Sequence, residues 1–398
     1  MNARKHFFAL LCTLSTTAAF AEDWPQWRGS GRDNKVVGFT IPAAWPKDFK
    51  QQWKVAVGEG LASPALVGDN IFTFTRQGND EVIRCLSAAT GKEVWQDKYA
   101  APSVTGPAGD FKGPRSSPAV ADGKVCTHGV GGTVSCIDVA TGKVAWRKET
   151  KGKPRFYTAS SPAVIDGLCI AHVGTDGRGE LTAYDLKTGD AKWTWTGDGP
   201  SYGSPVLMTL DKMNHVVVLT EKNLIGVNLS DGKLLWKTPL TTGRYQTNTP
   251  AIDGNTVICA GYAFTIEKKG EAYEAKQLWK GQAPHNYNSP VLKDGLLYGY
   301  LGMGRGSSKL FCQDAKTGKL VWEDTTNRGE CGFVLDTGMY LVALSSDSNM
   351  IVFKPGEKEL NEVAKYKLAD SPIWSEPILT GNRIFVKDRN SLILWTIE

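Results

Sequence analysis

Beyond its first two dozen residues the 398-residue chain has no apolar run long enough to cross a bilayer, so no helical membrane domain is expected in its body. Cysteine is scarce and poorly placed for chemistry. The eight residues form no C-x-x-C pair and no C-x-x-C-H, which argues against a zinc ribbon, a thioredoxin-like site and covalent haem. Neither sign of charge dominates. Against 46 Lys+Arg stand 41 Asp+Glu, a net of +5, too small to point to nucleic acid or an anionic membrane as partner. A disordered composition is also missing, since 41% of residues are apolar and 22% charged. What is abundant is Gly (43) and Trp (13), a pairing that suggests many tight turns beside many packed strands.

The first 21 residues read as an export signal. Arg4 and Lys5 precede an apolar run from Phe7 to about Ala19, and Ala19-Phe20-Ala21 is a small-x-small site, so cleavage is expected after Ala21. Cys12 follows Leu11, too bulky for a lipobox, so no lipid anchor is expected. Removing Arg4 and Lys5 lowers the net charge from +5 to +3. The expected product is soluble and periplasmic or secreted. It keeps seven cysteines, an odd number that cannot all pair internally. Cys85, Cys136 and Cys312 fall in one slot of a repeat, and Cys126, Cys169 and Cys259 nearly share another, which suits small buried hydrophobes. One disulfide is left open.

The repeat is the strongest signal. Aromatic residues stand at 53, 95, 146, 193, 236, 279, 322 and 366, a period near 43. Most follow a Thr-Gly or Asp-Gly turn, as in VATGKVAW ending at Trp146 and LSDGKLLW at Trp236. A second series runs out of phase: Ser63-Pro64, Ser117-Pro118, Ser161-Pro162, Ser204-Pro205, Thr249-Pro250, Ser289-Pro290 and Glu376-Pro377. One unit, near Phe333, has lost its proline. Each unit reads as four short strands. The first begins at the proline, which cannot donate to a ladder and so suits a strand start or an edge. The first hairpin turns at Asp-Gly, as at Asp122-Gly123, Asp166-Gly167, Asp253-Gly254 and Asp294-Gly295. The fourth strand carries the aromatic residue, placed to fill the wedge between neighbours. Four strands in about 43 residues is a propeller blade.

The fold expected is all-β, an eight-bladed β-propeller of four-stranded antiparallel blades. The last unit, 376–398, supplies three strands, and the strand around Trp53 supplies the fourth, closing the ring. Residues 1–21 are then the signal, 22–49 an N-terminal extension and 50–398 the propeller.

The form A-x-D-x-x-T-G-x-x-x-W occurs as CIDVATGKVAW (136–146), AYDLKTGDAKW (183–193) and CQDAKTGKLVW (312–322). It resembles the tryptophan-docking motif of the quinoprotein alcohol dehydrogenase-like superfamily, whose members carry pyrroloquinoline-quinone-like repeats. The opening DWPQWRG (23–29) also looks like the start of many exported members. The resemblance implies the propeller fold but not one activity. The superfamily's dehydrogenases carry a vicinal cysteine pair, absent here, and their calcium ligands and catalytic Asp have no matching positions. The length is similar to the non-enzymatic branch that includes the outer-membrane assembly lipoprotein. The expectation is therefore a non-enzymatic binding or scaffold protein needing no cofactor, possessing no catalytic or metal-binding residues, and recognising a protein segment or small molecule. The alternative is an oxidoreductase of alcohols or sugars, dependent on pyrroloquinoline quinone and calcium.

In such a ring, the loops before the prolines surround the channel mouth. Candidate recognition residues there are Arg115, Arg155, Tyr157, Tyr202, Arg244, Tyr245, Asn248, His285, Asn286, Tyr287 and Trp374. Arg offers a planar fork for carboxylates and the aromatics offer contact area. His128 and His172 share a slot in adjacent units and are read as structural, as the Gly-rich GMGRGSS (302–308) is read as a hairpin loop and not a phosphate cradle. The insertion 101–114 is read as a flap over one face or a tolerated surface loop.

Overall fold

The computed structural model describes residues 22–150, 152–241, 246–281, 287, 289–302 and 306–398. They form eight four-stranded antiparallel sheets arranged in a ring, a β-propeller. Blade 1 spans 65–100, blade 2 119–148, blade 3 163–197, blade 4 206–239, blade 5 251–280, blade 6 291–323 and blade 7 332–367. The eighth sheet is composite: Lys50–Ala56 pairs with the final strand Ser391–Thr396, beside Arg383–Lys387 and Ile378–Thr380. The export signal and the cleavage site lie outside the described residues.

Strand order within blades 1 to 7 follows the chain, from the inner strand to an exposed outer one, and in the eighth sheet the N-terminal strand takes the outer place. Asp122-Gly123, Asp166-Gly167 and Asp294-Gly295 take positive φ at both residues, the mirror-image turn that matches strand twist. In blade 5 the pairing of Asp253 with Thr256 moves the two-residue turn on to Gly254 and Asn255.

The aromatic repeat docks one blade on the next. Trp95 Nε1 donates to Val139 O (2.8 Å), Trp146 to Leu186 O (3.0 Å), Trp193 to Leu229 O (2.7 Å), Trp279 to Ala315 O (2.9 Å) and Trp322 to Gly356 O (3.0 Å). The glycine of the following blade's turn completes the dock. Gly232 sits at φ +70, and a Cβ there would lie 2.5 Å from the Trp193 ring. A flat indole, a carbonyl and a turn that only glycine fits therefore make one joint. The joint between blades 4 and 5 departs from this pattern. Trp236 Nε1 donates within its own blade, to His215 Nδ1 (3.0 Å), and Tyr273 from blade 5 meets that imidazole edge to face.

All seven described cysteines are free thiols. Six are fully buried, and Cys85, Cys136 and Cys312 stand directly opposite Trp95, Trp146 and Trp322. Small size at that slot leaves room for the ring across the ladder.

Candidate functional site: the two ends of the central channel

The residues before the prolines build a ring of hydrogen bonds at one level of the channel. Six of their backbone N–H groups donate to the hydroxyl of the next blade's Ser or Thr. Glu376 N–H reaches Ser63 Oγ (2.7 Å), Ser63 reaches Ser117 (3.0 Å), Ser117 reaches Ser161 (2.8 Å) and Ser161 reaches Ser204 (2.9 Å). Ser204 then reaches Thr249 Oγ1 (3.1 Å) and Thr249 reaches Ser289 (2.9 Å). A hydroxyl is suited to this, because it accepts from one blade while its own N–H donates to the next.

Below that ring the channel is filled by the chain itself. Residues 23–36 form an irregular hairpin inserted from the side of the Asp-Gly turns. Trp24 pairs with Leu66 through both backbone bonds (2.8 Å each), and Pro25 O accepts from Val120 N–H. At the tip, Trp27 Nε1 donates to Thr249 Oγ1 (3.2 Å) and Arg32 Nη1 to Pro162 O (2.9 Å). Arg28, only 1% exposed, donates to Pro290 O (2.7 Å) and Asn34 Oδ1 (3.1 Å) and, through its backbone N–H, to the Glu376 carboxylate (2.9 Å). On the way out, Asn34 Nδ2 binds Val334 O (2.9 Å), and Asn34 and Val36 exchange backbone bonds with Asp336. The hairpin thus touches blades 1, 2, 3, 5, 6, 7 and 8. Arg28 and Asn34 both take positive φ, the conformation of the tight turns that bring them back to the wall.

Three charged groups are buried in this plug. Burial pushes the Glu376 carboxyl up to about 7, although Arg28 beside it pulls the other way. Burial, reinforced by repulsion from Arg28, brings Arg32 down to about 9. Arg28 is lowered by burial and raised in part by Glu376.

The opposite end carries the sequence-derived candidates, and the structure gives Arg115, Tyr157, Tyr202 and Trp374 a mechanical task. Arg115 grips the insertion 101–114: its guanidinium donates to Phe111 O (3.0 Å) and Ala108 O (3.3 Å), and also to Phe156 O (3.1 Å). Tyr157 is buried, with its hydroxyl donating to Ser103 O (3.0 Å) and accepting from Thr105 N–H (3.0 Å). Tyr202 donates to Phe156 O (2.7 Å). Trp374 meets Phe111 edge to face at 5.1 Å and donates to Glu330. The insertion is thus a roof laid from blade 1 across to the loop before blade 8. Asn248 is buried in the hydroxyl ring beside Thr249. Arg155 and Tyr287 stay exposed, Tyr287 at 60%, with Arg155 stacked near the Phe156 ring. Arg244, Tyr245, His285 and Asn286 lie outside the described residues.

His128 Nδ1 faces Ser160 O and His172 Nε2 faces Asp198 O, each at 3.2 Å. Burial lowers both imidazoles to about 4. Among the described residues no group of three or more His, Cys, Asp or Glu side chains is placed to hold a metal ion, and no helix is long and apolar enough to cross a membrane.

Sequence reasoning missed Arg28, Arg32, Asn34 and Glu376. Two signals pointed to them: the DWPQWRG opening, and a Glu where every other pre-proline position has Ser or Thr.

The model of the PQQ_2 family, described as "Outer membrane protein assembly factor BamB", matches residues 79–324. The chain belongs to that family. An outer membrane protein assembly factor BamB from Burkholderia pseudomallei (strain K96243) is 25% identical over 402 residues, covering 97% of both chains. A quinohemoprotein alcohol dehydrogenase from Comamonas testosteroni is 28% identical, but over 46% of this chain and 27% of the dehydrogenase. Among solved structures, BamB from Moraxella catarrhalis superposes with a TM-score of 0.63 at 13% identity, over 88% of this chain and all of that one. The Comamonas testosteroni dehydrogenase does so with 0.69 at 16%, over 94% and 80%. At those identities the structural likeness speaks for the fold.

Proposed function

We propose that this family member is an exported, non-enzymatic scaffold of the cell envelope that recognises a protein segment on its roofed face and takes part in outer-membrane protein assembly. The single observation that carries the reading is end-to-end likeness to an assembly factor, 97% of each chain aligned. The sequence likeness to the dehydrogenase is confined to about a quarter of that enzyme. The channel supports the same reading. Its axis is filled by Trp27, Arg28 and Arg32, and its mouth is covered by the Arg115-held loop. A planar quinone with calcium does not fit these residues: the buried part of the plug is cationic and meets one buried carboxylate, Glu376, and the described residues supply no cluster of His, Cys, Asp or Glu metal donors. On this reading no cofactor is required and no residue is catalytic. Recognition falls to what the roof leaves exposed, notably Arg155 and Tyr287, a cation and an aromatic of the kind that anchor protein interfaces.

A photo-crosslinking residue at position 155, read out in intact envelopes, tests this. The expected result is one discrete crosslinked protein, absent when the probe sits at position 294 on the opposite face. Equal labelling from both positions, or micromolar binding of the quinone with calcium by the purified chain, overturns it.

A further inference from the structure

We propose that the turn-side half of the channel is a receptor for a Trp- and Arg-bearing hairpin, filled in cis by residues 23–36, and that this occupancy is what fastens blades 6, 7 and 8 into the ring. The inference stands on architecture alone and does not depend on the proposed role in assembly.

The hydroxyl ring is incomplete, and the plug binds where it is incomplete. From Glu376 round to Ser289, each N–H has a Ser or Thr hydroxyl on the next blade. By ladder register blade 7 has Cys331 at the equivalent place, a thiol and not a hydroxyl, whose own N–H turns back to Ser346 Oγ of the same blade (3.4 Å), and blade 8 has a carboxylate, Glu376. The two links that the repeat would make, from blade 6 to 7 and from 7 to 8, are therefore not available in that form. The hairpin supplies others at the same junctions. Arg28 ties Pro290 O of blade 6 to the Glu376 carboxylate of blade 8, one through its guanidinium and one through its backbone. Asn34 ties blade 7 through Val334 O and the Asp336 backbone. Trp27 packs edge to face on Phe333 at 5.8 Å. A buried Glu in a ring of hydroxyls is costly without a donor. Its presence marks the socket as built for the group that fills it. The joint is also separable: Ala43 and Ala44, between the hairpin and Lys50–Ala56, are exposed.

The test uses the full chain with a specific protease site inserted between Ala43 and Ala44, cut after folding. Native mass spectrometry follows whether the fragment stays. Hydrogen exchange reads each blade, and a labelled synthetic peptide of residues 22–40 probes the emptied socket. The cut wild-type sequence is expected to keep its fragment. In the cut Asn34→Ala chain the fragment should leave at least tenfold faster. Its loss should raise exchange at least tenfold in blades 6 to 8 while blades 3 and 4 keep their protection, and the added peptide should restore it. Prompt loss of the fragment from the cut wild-type sequence overturns the proposal. So does loss that leaves blades 6 to 8 protected or loosens all eight blades alike. If Asn34→Ala does not fold, the cut wild-type chain, with its fragment removed by mild urea and the peptide returned, reads the same outcomes.

Discussion

Blades 1 to 6 and blades 7 and 8 solve one problem by different means. In the longer arc, neighbours are joined by parts that the repeat itself encodes: a Ser or Thr hydroxyl near the axis and, at most junctions, an indole docked on the next turn. In the shorter arc the axial part of the repeat has lapsed, although Trp322 still docks on Gly356 O of blade 7. Cys331 replaces the hydroxyl, Glu376 replaces the next, and Tyr366 donates to Pro46 O in the extension rather than to the following blade's turn. A non-repeating segment fills the gap. A solenoid-like ring tolerates sequence drift at its closing arc when something outside the period supplies the lost contacts. The joint between blades 4 and 5 shows a milder version, where His215 takes over the acceptor's role.

The comparison breaks most directly if the two kinds of link cost the same to remove. Ser161→Ala deletes one hydroxyl and leaves the Ser117 N–H unpaired, a loss of about 1–3 kcal/mol. Arg28→Ala removes a buried guanidinium that joins Pro290 O of blade 6 to Asn34 of the plug, and takes away the cation nearest the buried Glu376 carboxyl, whose bond from the residue 28 N–H remains. Such losses run to about 3–5 kcal/mol. Denaturant unfolding of both variants at pH 8 is expected to place Arg28→Ala well below Ser161→Ala. Equal midpoints end the distinction between the arcs.

The repeating arc was legible in the sequence because its parts recur: eight aromatics, the Ser-Pro series and the Asp-Gly turns each repeat a contact, and recurrence is visible without coordinates. The clasp was not. Arg28 and Pro290 are 262 residues apart, and Asn34 and Val334 are 300 apart. No local rule links such pairs. The structural part played by the roof residues was hidden for a related reason. Arg115, Tyr157 and Tyr202 look like recognition side chains by type and by place. Their polar atoms are taken by carbonyls of 101–114 and of Phe156, acceptors that every loop has and no sequence pattern marks.

Acidity separates the two regions in opposite directions. His128 in blade 2 and His172 in blade 3 are held by burial at about 4, below the ordinary 6.5. The folded state keeps them neutral, so the unfolded chain takes up protons first as pH falls. Stability is complete above 6.5 and is lost on the way down to 4, about 3 kcal/mol per ring. Glu376 is raised from 4.5 to about 7. The folded state holds that proton longer, so its contribution is complete below 4.5 and fades as pH climbs through 7. Hydrogen exchange corrected for intrinsic rates should show blades 2 and 3 loosening between pH 6.5 and 4.5 while the clasp tightens. His172→Gln should flatten the first trend and Glu376→Gln the second. Parallel trends in both regions would remove the electrostatic side of the comparison.

The finest test stays within the repeating arc and asks whether its docks depend on shape or only on backbone conformation. Gly232 and Gly254 both take positive φ, +70 and +58, so alanine meets the same backbone penalty at either, about 1–2 kcal/mol, partly offset by a stiffer unfolded chain. They differ in what the new methyl meets. At Gly254 there is nothing within 4 Å, and at Gly232 the Trp193 ring lies 2.5 Å away. That ring is fixed by its bond to Leu229 O and is 7% exposed, so it has nowhere to retreat without opening the seam between blades 3 and 4. Gly232→Ala should therefore lose about 1–2 kcal/mol more than Gly254→Ala in paired thermal melts. A difference near zero would mean that the indole yields freely, and that the docking motif conserves a turn rather than a fit.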